Sequence, residues 1–264
     1  MGDESLYSAL ILQIFKRHYR EGLESFVFSR DEIPQASRTL GRKLPKNLGD
    51  VIYSMRYRAS MPPEIAATAT TGKEWRIEGA GPAMYRFRLG RINRIVPDPN
   101  HKTIKIPDAT PQIVRQRALD DEQALLAIIR YNRLVDVFLG VSAFSLQNHL
   151  RTSVKDMGQI EIDELYVAVD KRGVQYVVPV QAKSGRDKIS VIQAKQDLAF
   201  CRERYPDLVS RAISAQFMAD DKIAMFELEE SGDGEIEIAE QRHYRLVPGS
   251  DITSDELRKY RRTR

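Results

Sequence analysis

The sequence predicts an α/β fold built on a mixed central sheet, preceded by a smaller α+β module, and three observations carry that expectation. Beyond about residue 148, apolar stretches of strand length alternate with one long helical stretch, residues 190 to 204, the order expected of an α/β core. Before residue 90, two short helical patterns are followed by two strand patterns. Between these parts, Pro97, Pro99, Pro107 and Pro111 stand in a stretch with little periodicity, which reads as a linker.

The 264 residues are 42% hydrophobic and 30% charged, enough apolar content for a sizeable core. Cys201 is the only cysteine, which excludes an intrachain disulfide and a cysteine-based zinc site. Apolar runs such as Leu10 to Ile14 and Tyr176 to Val180 are far shorter than a bilayer requires, and the MGDES start lacks the basic region of a signal peptide. The expectation is a cytoplasmic protein. The net charge of +4 is unevenly spread: Phe26 to Ile106 holds 15 Lys/Arg against 7 Asp/Glu, which leaves the remainder acidic. Such a segment suits a polyanion, although exposed faces carry similar charge for solubility alone.

Residues 5 to 20 place Leu6, Leu10 and Ile14, then Ile11 and Phe15, four apart, which predicts a packing helix within residues 1–24. Ser29 and Glu32 have capping-box spacing, so a short helix should run to about Leu40 and stop at Gly41. With Asn47 as N-cap, residues 48 to 58 predict another helix, turning Leu48, Val51, Ile52 and Met55 inward and ending near Arg56 and Arg58. Lys73 to Ile77 and Met84 to Leu89 predict strands around Gly79-Ala80-Gly81-Pro82; in the second, Tyr85, Phe87 and Leu89 alternate with Arg86 and Arg88. Helix, helix and basic hairpin in this order resemble a winged helix-turn-helix over residues 25–110. That likeness implies binding of double-stranded DNA, with Lys46, Arg56, Arg58, Arg86 and Arg88 as contacts.

From Asp121 one helix is expected to run through Leu125, Ile128, Ile129, Val135 and Phe138 to Gly140. Strands follow near 148 to 154, 160 to 169 and 174 to 183, a helix near 190 to 204, and strands near 211 to 217 and 222 to 228. The turn Asp170 to Gly173 joins two of the strands as a hairpin. The core thus spans 111–250, and the basic tail 251–264 is expected to be mobile.

Alternation puts Glu161, Asp163 and Leu165 on one face of their strand, and Gln181 with Lys183 on one face of the next. Pairing through the short turn draws these groups together where the polar Gln181-Ala182-Lys183 should emerge at a sheet end. Phosphodiester cleavage needs hard oxygen ligands for a magnesium ion and a cation beside the attacking water or the phosphate. Asp163 and Gln181 offer oxygens, and Lys183 offers the cation.

EIDELYV followed by VVPVQAK resembles the PD-(D/E)xK nuclease superfamily in its Q-x-K form, as in Mrr-like restriction endonucleases. The resemblance covers about residues 115 to 228. It implies a restriction-endonuclease-like α/β/α core, a magnesium-dependent deoxyribonuclease, catalytic roles for Asp163, Gln181 and Lys183, and metal ligation by Asp163 and Gln181. Gln181 leaves one carboxylate fewer than the common pattern, so a helper is expected from Glu122, which opens a helix, or from Glu161. Cutting both strands implies two active sites and hence a homodimer. Two other functions share the motif: a DNA-binding protein that keeps the fold without activity, and a repair or recombination nuclease for branched or damaged DNA.

Other polar residues carry less. Glu164 faces the opposite way from Asp163 and is expected to be solvated, and His149 to pack against or cap a strand. His18, His101, His149 and His243 lack zinc-site spacing. Ser184, Gly185, Arg186 and Lys188 could touch phosphate as readily as water, and Gln193, Lys195 and Gln196 sit on the following helix.

Overall fold

The computed structural model describes residues 2–91, 94–117, 121–184 and 188–262 and has a mixed α/β architecture. Gly185 and Arg186, and Thr263 and Arg264 of the basic tail, lie outside the described residues.

The N-terminal module contains α1 (Gly2–His18), β1 (Ser25–Ser29), α2 (Glu32–Thr39), α3 (Leu48–Tyr53), α4 (Pro63–Ala66), β2 (Glu74–Gly79) and β3 (Met84–Gly90). As the four-residue spacing predicts, Leu10, Ile11, Ile14 and Phe15 of α1 are buried, and they pack with Ile33, Val51, Met55, Trp75 and Phe87 in one core. Burial of each such side chain contributes about 1.5–3 kcal/mol, so α1 belongs to the module's core. Half of the capping box forms: Glu32 accepts the Ser29 amide at 3.0 Å. Asn47 caps α3 by accepting the Gly49 amide. After Tyr53 the helix widens into a π-helical turn, Ser54–Arg58, which rotates Arg56 to the buried side. The three strands pair antiparallel in the order β1-β3-β2, so β3, with Arg86 and Arg88, is the middle strand rather than one arm of a free hairpin.

Residues 90 to 112, read as a linker, contribute two strands, β4 (Arg94–Ile95) and β5 (Thr103–Pro107). The short α5 (Gln112–Arg115) leads to α6 (Glu122–Tyr131) and α7 (Leu134–Leu139). The single helix expected from Asp121 to Gly140 is therefore broken. Buried Asn132 accepts the Ala109 amide and donates to Thr110 and to the Ile128 carbonyl, while Arg133 turns left-handed at φ 49°.

The core continues with β6 (Ser142–Val154), β7 (Gly158–Val169), β8 (Gln175–Lys183), β9 (Ile189–Ser190), α8 (Val191–Arg204), β10 (Val209–Ser210), β11 (Ala212–Phe217), β12 (Lys222–Glu230) and β13 (Ile236–Val247). Its eight-stranded mixed sheet runs β5-β13-β12-β11-β8-β7-β6, with β10 on β8; β4 and β9 form a separate pair. Along β8, Val178, Val180 and Ala182 face the core shared with α6 and α7, whereas Val177 faces the one shared with α8. Helices thus cover both faces. Tail residues 254–262 form α9 (Ser254–Arg262), where the Tyr260 hydroxyl accepts the Lys105 amide and Glu256 pairs with Lys105 at 2.9 Å, so this stretch is anchored. Among the described residues no helix is long and apolar enough to cross a membrane.

Candidate functional site

The hairpin of β7 and β8 pairs in register from Val169–Gln175 to Glu164–Val180, and there the ladder stops. Beyond that point β8 stays on β11, as far as the Lys183–Gln216 pair, while β7 parts from β8. Side chains fill the gap. The Ala182 amide donates to Asp163 Oδ2 at 2.8 Å, and Gln181 Nε2 donates to the Glu161 carbonyl at 2.8 Å and to Asp197 Oδ2 at 3.0 Å. Gln181 is only 3% exposed and Ala182 is buried. The polar segment is the C-terminal end of β8, as expected, and Lys183 reaches the cleft there, but Gln181 and Ala182 are buried where β7 and β8 diverge.

Glu122, at the start of α6 with Asp121 capping the helix through the Ala124 amide, reaches to 3.4 Å from Lys183 Nζ. Glu161 lies 3.2 Å from His149 and 3.4 Å from Arg151, both on β6. His149 is half exposed at φ 52° and faces this carboxylate instead of packing or capping. Glu164, expected in solvent, is 0% exposed; Arg130 at 2.9 Å and Ser145 at 2.6 Å hold it. Its partners come from two elements, Arg130 of α6 and Ser145 of the neighbouring strand β6.

Asp163, Lys183, Glu122 and Glu161 line one cleft of about 740 Å³, whose opposite wall is Gly49, Ile52, Tyr53, Arg56 and Tyr57 of the N-terminal module. Burial pushes the Asp163 carboxyl above its usual range, offset in part by the Ala182 amide and Lys183. Asp197, missed in the sequence, is 2% exposed on α8, and burial drives it well above the ordinary carboxylate range against the Gln181 hydrogen bond. Its signal is the spacing of Gln193, Gln196 and Asp197, which share a helix face.

The predicted DNA contacts separate. Arg56 enters the cleft; Lys46 is exposed ahead of α3; Arg58 is exposed with its guanidinium 5.0 Å from the Tyr53 ring centre. Arg86 and Arg88 line a different depression with Glu24, Lys73, Arg91, Asp233 and Glu235, and Arg88 lies 3.9 Å from Glu235. The structure does not bring these two to Asp163.

Whether the residues suit magnesium turns on their free oxygens. Gln181 Oε1 is buried with no hydrogen-bond partner among the described residues, and Asp163 commits Oδ2 to a backbone amide. Among the described residues no three His, Cys, Asp or Glu side chains are grouped to hold a metal ion. One carboxylate plus one amide oxygen still fits an ion that keeps most of its waters. Comparison of the chain with protein-family models, curated proteins and solved structures returned no match in any of the three.

Proposed function

We propose that this chain is a magnesium-dependent DNA endonuclease of the PD-(D/E)xK kind, with a restriction-endonuclease-like core and a winged-helix-like N-terminal module. The observation that carries the reading is the parting of β7 from β8. It turns Asp163 and Lys183 into one cleft and holds Gln181 between Glu161 and Asp197. For the module, support comes from the element order α1-β1-α2-α3-α4-β2-β3 and the strand order β1-β3-β2. In this reading Lys46, Arg56 and Arg58 meet the phosphate backbone of double-stranded DNA.

Asp163 and Gln181 would hold magnesium, and the chemistry such an ion supplies is water activation and neutralisation of charge on the phosphate. Lys183, steadied by Glu122, is the cation for the phosphate or the attacking water. Glu122, which opens α6 on the same cleft beside Lys183, is the helper carboxylate in this reading. A homodimer would provide one site per strand, which the mass of the particle in solution checks.

The test is incubation of methylated and unmethylated plasmid with magnesium and sequencing of the fragment ends. Discrete cleavage should be lost in Asp163→Ala and Lys183→Ala, falling by roughly 100-fold or more. Full cleavage in both variants would overturn the assignment.

A further inference from the structure

Two arginines are buried among the described residues, and the fold treats them in opposite ways. Arg76, 1% exposed, donates to Glu78 once and to Glu235 twice, each at 2.8 Å. Arg56, 8% exposed, has no hydrogen-bond partner at Nε or Nη2 and no ion-pair partner among the described residues. The guanidinium lies 5.0 Å from the centre of the Tyr57 ring. A cation over an aromatic face recovers part of the lost hydration, but it leaves the Nε and Nη2 donors without a partner among the described residues. A buried guanidinium whose donors stay empty is costly unless an anion arrives to take them.

The position of Arg56 says which anion. It forms the wall of the Asp163 cleft contributed by the N-terminal module, and Tyr57 beside it bonds across to Gln196 of α8 at 3.1 Å, which fixes that wall against the core. Arg30 also lines the cleft and is exposed. The remaining cations, Lys183 and Arg151, are matched by Glu122 and Glu161. Arg56 lines this cleft from the N-terminal module and Asp163 lines it from β7 of the core, so the two stand on different walls.

Resting on the nuclease reading, we infer that Arg56 grips a phosphodiester flanking the one at Asp163 and Lys183, so that the N-terminal module supplies part of the substrate-strand site. Its planar fork suits two phosphate oxygens at once, which a lysine cannot reproduce. The strand then crosses the cleft from Arg56 to Asp163, and the module positions it for cutting.

The experiment measures binding without metal: a fluorescein-labelled DNA duplex in EDTA, titrated over a range of salt with the full chain and with Arg56→Ala, Arg56→Lys and Arg56→Met. Arg56→Ala should weaken binding about tenfold, and its salt dependence should lose about one counterion. Arg56→Lys should restore the salt dependence and only part of the affinity. Arg56→Met, which keeps the volume, should melt no lower than the parent chain and bind as poorly as Arg56→Ala. Unchanged affinity and salt dependence in both Arg56→Ala and Arg56→Met would overturn the inference while leaving a cleaving parent chain a nuclease. DNA binding that depends on Arg56 in a chain that never cleaves would keep Arg56 as a phosphate contact but overturn both the nuclease reading and the placement beside a scissile phosphate. A parent chain that fails to bind DNA at low salt would end both.

Discussion

Arg76 of β2 and Glu235, just ahead of β13, form a forked ion pair, Nη1 to Oε2 and Nη2 to Oε1, both at 2.8 Å. The pair fastens the N-terminal module to the far side of the core. Burial alone would raise the Glu235 carboxyl, but the Arg76 guanidinium outweighs it and holds the group below its ordinary value.

Removing one partner strands the other in a dry site, so Arg76→Ala should cost about 3–5 kcal/mol in urea denaturation. A depressed carboxyl contributes stability above its unfolded pKa and loses it as pH falls through the folded value. The gap between the parent chain and Arg76→Ala should therefore narrow in acid. A gap that widens in acid would contradict the pairing.

Asp197 behaves in the opposite sense. Its carboxyl is raised, so its share of stability is complete below the unfolded pKa and is lost as pH climbs through the folded value. Asp197→Asn keeps an acceptor for Gln181 and removes the buried charge. The variant should melt higher than the parent at pH 8 and level with it in acid, read by circular dichroism at each pH.

Gly79 packs against the turn between β6 and β7, where an added Cβ would come within 2.3 Å of the Met157 carbonyl oxygen. Both contacting atoms are tied to backbone, so neither can swing aside. Gly79→Ala should cost about 1–3 kcal/mol, and amide exchange at the Gly81 N–H, bonded to the Asp156 carbonyl at 3.0 Å, should quicken.

Arg88 faces Asp233 and Glu235 instead of the Asp163 cleft. Arg88→Glu should lower stability by about 1 kcal/mol, or roughly 2–4 °C in Tm. The salt dependence of DNA binding should stay as in the parent chain; a loss like that expected for Arg56→Ala would place Arg88 on the DNA instead.

Legibility followed the range of the forces involved. Capping at Asn47, the apolar stripe of α1 and the alternation of β7 and β8 depend on near neighbours, and each reads directly from spacing. The strands β1, β5 and β13 do not. TIKIP is flanked by prolines and becomes a strand only through parallel pairing with β13, and β13 alternates charges because one of its faces is open to water. Asp197, Glu164 and Arg56 were hidden for a related reason. Charged residues are expected outside, and only the fold supplies Gln181, Arg130 or an enclosed cleft to receive them. In the candidate site, the grouping of Asp163 with Lys183 was legible from strand alternation and the short turn, and Glu122 entered only through the family resemblance. The closing wall from α3 was not, because nothing local says that residues 49–57 face residue 163.

The pairing of Thr103 with His243 and of Ile106 with Leu246 also sets an order of events during synthesis. The N-terminal module can assemble around its own core as soon as β3 has left the ribosome, whereas TIKIP must wait for nearly the whole remaining chain before it has a partner. Until β13 arrives, the outer edge of β12 is also bare, and an unpaired edge is a template for a neighbouring chain. Premature termination before Ile236 would thus leave β5 without a partner and the edge of β12 bare, a product for the quality-control machinery of the cell rather than a smaller working protein.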